Sequence, residues 1–125
     1  MLRECRRVLV PGGKIAVLTI AVPAGLADDD AAMALELGPS RVGAPDTLAN
    51  MMHEAGFRGV EEVNETPRFR EVIIRSLARL RALETELRTG EGADGFEAEW
   101  GKKSRLLEGV DRGLLVRTLV VAEAP

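Results

Sequence analysis

The run Arg7-Val8-Leu9-Val10-Pro11-Gly12-Gly13-Lys14, followed at once by Ile15-Ala16-Val17-Leu18-Thr19-Ile20, constrains this chain more than any other stretch. Proline lacks an N–H and disfavours helix in the residue before it, so a helix entering the run must stop by Val10. Gly12 and Gly13 accept positive φ without a Cβ clash, as a sharp helix-to-strand reversal requires. Residues 15–20 are apolar on both faces apart from Thr19, which suits a parallel strand covered by helices on both sides. The run is an α/β corner. Its strand comes so early that the sequence offers it no upstream neighbour on one side.

Periodicity orders the rest. Residues 1–9 read as the last turns of a helix, with Leu2, Cys5, Val8 and Leu9 on one face and arginines toward its C-terminus. Asp28, Asp29 and Asp30 are placed to cap a short helix over 31–37, closed by Gly38-Pro39. Helix 46–55 opens on Pro45 and Asp46 and carries Leu48, Met51, Met52 and Ala55 as its stripe. Gly56 stands at the left-handed position after it, with Phe57 set to pack back on Met52. Residues 57–66 read as a second strand with Val60 and Val63 inward. Residues 67–88 read as one long helix with Phe69, Ile73, Leu77, Leu80, Leu83 and Leu87 inward and a basic outer face. After a break at 89–93, Asp94-x-x-Glu97 has the form of a capping box for a helix bearing Phe96, Trp100, Leu107 and Val110. Residues 114–122 form a last strand, apolar except at Arg117 and Thr118, internal to the sheet. A helical crossover joins the strands at 15–20 and 57–66, which are therefore parallel in one sheet.

Composition narrows function mainly by exclusion. A chain of 125 residues with 46% hydrophobic and 30% charged residues makes one globular α/β domain. A net charge of −3 argues against a general nucleic-acid binder or a binder of anionic membranes. No apolar stretch approaches the ~20 residues that span a bilayer. The single cysteine, Cys5, excludes an intrachain disulfide and points to a reducing, cytoplasmic setting. Cys5 reads as a core residue, and His53, the one histidine, as a solvated helix residue. The three consecutive aspartates read as helix N-terminal charge rather than as a metal site. Glu61 and Glu62 point to opposite faces of a strand, which argues against a paired-carboxylate acid/base site.

Three motifs, in register, resemble class I S-adenosylmethionine-dependent methyltransferases. Leu2-Arg3-Glu4-Cys5-Arg6-Arg7-Val8-Leu9-Val10-Pro11-Gly12-Gly13 is similar to the signature before the family's fifth strand. Met52-His53-Glu54-Ala55-Gly56-Phe57 is similar to that before the sixth, and Val120-Val121-Ala122-Glu123-Ala124-Pro125 to the end of the seventh. The resemblance implies a partial Rossmann-like sheet of the fifth, sixth and seventh strands, the last antiparallel, with residues 1–66 and 113–125 as sheet core. Residues 67–112 become a helical insertion, acting as a substrate lid or a dimer surface. It also implies methyl transfer to a small-molecule acceptor, with S-adenosylmethionine as cofactor. The glycine-rich turn and ribose-binding acid that hold the cofactor in the family have no counterpart, so no catalytic or cofactor-binding residue is assigned. The cofactor half lies outside this sequence, and the isolated monomer is expected to be inactive. Thr19, at the carboxyl end of the first strand, with Arg68, Phe69 and Trp100 of the insertion, are the substrate-pocket candidates. The missing half leaves the 15–20 edge to be completed by a partner chain, by a second copy, or by a longer protein in which Met1 is an internal methionine. The alternative is a non-catalytic dimerisation or partner-binding module that keeps the second half of the fold.

Overall fold

The computed structural model describes residues 1–39, 46–90 and 92–125. The elements follow in the order α1 (Leu2–Val8), β1 (Lys14–Ala21), α2 (Asp28–Leu37), α3 (Leu48–Glu54), β2 (Arg58–Asn64), α4 (Thr66–Ala82), α5 (Glu84–Gly90), α6 (Ala93–Asp111) and β3 (Val116–Glu123). The three strands make one sheet in the order β1-β3-β2, and β3 runs antiparallel to both neighbours. β1 and β2 are thus parallel to each other, as the crossover requires, but β3 lies between them.

The Pro-Gly-Gly corner forms as a turn closed by the Gly13 N–H on the Val10 carbonyl at 2.8 Å, with Gly12 at φ +80. The corner also clasps the end of β3. The Gly12 N–H donates to the Ala124 carbonyl, and the Ala124 N–H to the Gly13 carbonyl, both at 2.8 Å. After α3, Gly56 has φ +92, its N–H donates to the His53 carbonyl, and the Phe57 N–H donates to the Met52 carbonyl. This double bond is the Schellman arrangement, and Phe57 and Met52 are buried in one cluster.

Two cores flank the sheet. In one, Met52, Ala55 and Phe57 pack under Val120, Ala122 and Ala124, with Leu2, Cys5, Leu9, Ile15 and Val17 around them. In the other, Phe69, Ile73, Val110, Leu114 and Leu115 of the helical block pack with Ala34 and Leu37 of α2 and with Ile20 and Val22.

The structure corrects several expectations. Among the described residues β1 has only an antiparallel neighbour; α1 and α3 cover one face along its length, while on the other only its end at Ile20 meets the helical block and Leu18 remains 48% exposed. Val8 is exposed, because α1 turns only Leu2, Cys5 and Leu9 to the core. Val63 pairs with Leu119 on the open face, not inward. Residues three apart on a strand point to opposite faces, so with Val60 packed on the core Val63 faces out; Gly59 at φ +60 lies within a bulge between Arg58 and Glu61. The long helix breaks at Leu83 into α4 and α5, and both parts pack on α6. The capping box does not form. Gly92 is the N-cap of α6, and Glu97 instead receives Arg88 of α5. Asp28, Asp29 and Asp30 lie inside the first turn of α2 without a capping bond. α3 is capped by Thr47, whose hydroxyl accepts from the Asn50 N–H at 3.2 Å. Pro45, expected to open that helix, lies outside the described residues, as does Glu91 in the expected break.

Candidate functional site

In an open α/β sheet, ligands bind outside the carboxyl ends of the strands. Here that place is the end of β1 at Thr19-Ile20-Ala21, where the chain passes under the helical block through Val22 and Leu26. The start of β3 runs beside it. Thr19 pairs with Thr118 and Ile20 with Arg117. The start of α4 is tied to the same spot, since the Arg117 N–H donates to the Thr66 hydroxyl at 2.9 Å and the Glu65 N–H to the Arg117 carbonyl at 2.8 Å.

The four sequence candidates sit on different parts of this end. The Thr19 hydroxyl makes one long bond, 3.4 Å, to the Ile20 carbonyl. Phe69 is buried in the helical core, and the Arg117 guanidinium lies 4.6 Å over its ring. Arg68 beside it is 81% exposed, with Glu65 at 3.8 Å. Trp100 belongs to the α5–α6 block. It stacks on Phe96 at 6.1 Å, and Arg81 covers its ring at 4.4 Å. Thr19 and Phe69 thus border one end of the sheet, whereas Trp100 is held by its own aromatic and cationic partners.

Two arginines matter more than the sequence suggested. Arg117, the one charged residue of β3 before Glu123 in a run apolar apart from Thr118, is half-buried and stacked on Phe69. Its isolation in an apolar run was the available signal. Arg88 joins α5 to α6 by bonding Glu84 at 2.8 Å and Glu97, while lying 4.5 Å over the Phe96 ring. The Arg88 hydrogen bond, with help from Arg81, holds the Glu84 carboxyl below the usual carboxylate range despite an opposing desolvation effect. The i,i+4 spacing of Glu84 and Arg88 announced half of this network. Glu97, nine residues further on, could come only from the fold.

The two sheet edges differ. β2 carries a bulge and the charges Arg58, Glu61 and Glu62, devices that discourage further strand pairing. β1 has no charged residue after Lys14, and its outer edge has no partner among the described residues. On the open face, Ala16, Leu18, Leu119, Val121 and Val63 lie in adjacent register.

A three-stranded sheet with the last strand central and antiparallel, flanked by helices, and a helical block over the carboxyl end of its first strand, is part of a Rossmann-like methyltransferase fold. No protein-family model matches this sequence. No curated protein matches it either. Solved structures do. The chain superposes on phosphoethanolamine N-methyltransferase 2 of Haemonchus contortus with a TM-score of 0.84 at 17% identity, covering 99% of this chain and 29% of that one. That enzyme was captured with phosphomonomethylethanolamine and S-adenosylhomocysteine, and a second structure of it with S-adenosyl-L-methionine. The mycolic acid cyclopropane synthase CmaA1 gives 0.82 at 15% identity, with 98% of this chain and 50% of that. The cyclopropane synthase MmaA2 of Mycobacterium tuberculosis gives 0.80 at 13%, with 98% and 48%. The chain therefore has the fold of a partial methyltransferase domain and spans half or less of these chains.

The residues present do not make up an S-adenosylmethionine site. Among the described residues, β1 is followed by a single positive-φ glycine, Gly25, and a Cβ there would meet nothing within 4 Å. β2 runs almost directly into α4, and β3 into Ala124 and Pro125. Among the described residues no strand leads into a glycine-rich turn.

Proposed function

We propose that this chain is the acceptor-binding part of an S-adenosylmethionine-dependent methyltransferase, active when a cofactor-binding half continues the sheet along the outer edge of β1. The observation that carries this reading is the contrast between the guarded β2 edge and the apolar, unguarded β1 edge, in a chain whose fold matches part of larger methyltransferases. Residues 1–66 and 113–125 are the sheet core in this reading, and residues 67–112 cover the acceptor. The acceptor is a small molecule presenting a nucleophilic N, O, S or C atom. Thr19, Arg68 and Phe69, at the carboxyl end of β1 and the start of α4, are nearest its pocket, and Trp100 stands apart in the α5–α6 block. The contribution of such residues is to hold the acceptor in line with the methyl donor and to exclude water.

Titration calorimetry with S-adenosylhomocysteine tests the division of labour. The isolated monomer is expected to give no saturable binding, and the protein as its cell of origin makes it, whether longer chain or complex, is expected to bind at micromolar levels. Micromolar binding by the isolated monomer would overturn the assignment of the cofactor to another half. Failure of the native form to bind would overturn the methyltransferase reading.

The bare β1 edge favours a second reading, in which two copies pair through β1 as a non-catalytic assembly module.

A further inference from the structure

α4 carries five arginines, and the structure sorts them. Arg68 has Glu65, Arg70 has Asp111 and Arg81 has Glu84. Among the described residues, neither Arg75 nor Arg79 has a carboxylate partner. These two stand one helical turn apart, an i,i+4 like-charge pair that weakens a helix on its own. They line a groove of about 580 Å³ together with Val72, Ser76, Leu80 and Leu83 of α4 and its end, and with Lys103 of α6, whose ammonium has only Glu99 at 3.8 Å. Among the described residues no acidic side chain lines it. Val72 is 48% exposed there, while Leu80 and Leu83 are half-buried. The groove thus joins an apolar floor to two uncompensated guanidinium groups in a protein whose net charge is −3.

From this arrangement we infer that the α4–α6 groove binds a monomeric single-chain amphiphile with an anionic head. Its alkyl chain lies along Val72, Leu80 and Leu83, and its head, a carboxylate or a phosphate, is held between Arg75 and Arg79. The volume lies within the ~300–1,000 Å³ of small-molecule sites. The seven lining residues fall well short of the ~20–30 per side in a stable protein interface, so a small ligand fits better than a docked protein. Planar guanidinium forks suit carboxylate and phosphate oxygens alike, and an anion between the two arginines relieves their mutual repulsion. The site shares no lining residue with the carboxyl end of β1 at Thr19, Arg68 and Phe69 and does not depend on the methyl-transfer reading.

Calorimetry with decanoate and with decyl phosphate, each below its micelle concentration, tests the inference on the chain itself. Saturable 1:1 binding of at least one is expected, and the stronger of the two identifies the head group. The double variant Arg75→Gln/Arg79→Gln is expected to weaken it by about tenfold or more, as loss of charge-assisted bonds implies. Val72→Gln, at an exposed position, is expected to weaken it through the tail while leaving circular dichroism unchanged. Acetate and inorganic phosphate are expected to bind far more weakly than the alkylated forms. Equal binding of neutral decyl glucoside, no effect of the double variant, or binding only to anionic vesicles would overturn the inference.

Discussion

Gly109 and Gly101 both lie inside α6, yet a methyl group added at each meets different surroundings. At Gly109 it would collide with the Leu115 side chain, which is fully buried and has no room to move. Overpacking of this kind costs about 1–3 kcal/mol and outweighs the ~1 kcal/mol that alanine gains over glycine in a helix. At Gly101 the nearest atom is Arg105 Nη1 at 3.2 Å, the tip of an exposed and flexible side chain. Urea denaturation should therefore show Gly109→Ala destabilised by about 1–2 kcal/mol and Gly101→Ala stabilised by about 0.5–1 kcal/mol. Glu84 makes a pH prediction at the same scale. Its carboxyl is held below the usual range by Arg88, so its contribution to stability is present above the unfolded value of about 4.3 and is lost as pH falls through the lower folded value. The thermal midpoint should drop as pH falls from about 5 to below 4, and drop less in Glu84→Gln. An equal drop in both proteins would remove Glu84 from the account. Trp100, the only tryptophan, lies in the same helical block and reports its loosening by fluorescence.

At the scale of elements, the Thr47 hydroxyl is the one side-chain cap on α3, and α3 covers the sheet through Met52. Thr47→Ala should cost about 1 kcal/mol in chemical denaturation. A change below the error of the measurement would mean that Asp46, whose carboxylate already accepts from the Thr47 N–H at 2.7 Å, suffices alone. What the sequence disclosed about these elements divides along physical lines. The Pro11-Gly12-Gly13 corner and the Gly56-Phe57 cap were legible because their bonds join residues within a few positions of each other. The break at Leu83 was not, because the leucine stripe continues through it and the bend serves packing on α6. The capping box at Asp94 failed for a related reason: Glu97 finds a better partner in Arg88 on another helix. The basic face of α4 could be read directly, but the groove needs Lys103 from α6. Of the site candidates, Phe69 proved a core aromatic under Arg117, and Trp100 proved tied to Phe96 and Arg81.

For the whole molecule, the open edge and open face of β1 set the behaviour of the isolated chain. Light scattering should show association that rises with concentration, and Leu18→Lys, which places a charge on the exposed apolar face, should hold the chain monomeric. A wild-type chain that stays monomeric throughout would remove the self-pairing reading and leave the completing half as the occupant. β3 has a further consequence, for biosynthesis. It lies between β1 and β2 but is the last of the three to leave the ribosome, so β1 and β2 cannot be bridged until it emerges. A nascent chain stalled before residue 114 would lack the strand that joins β1 to β2, a natural client for a chaperone and an easy target for a protease.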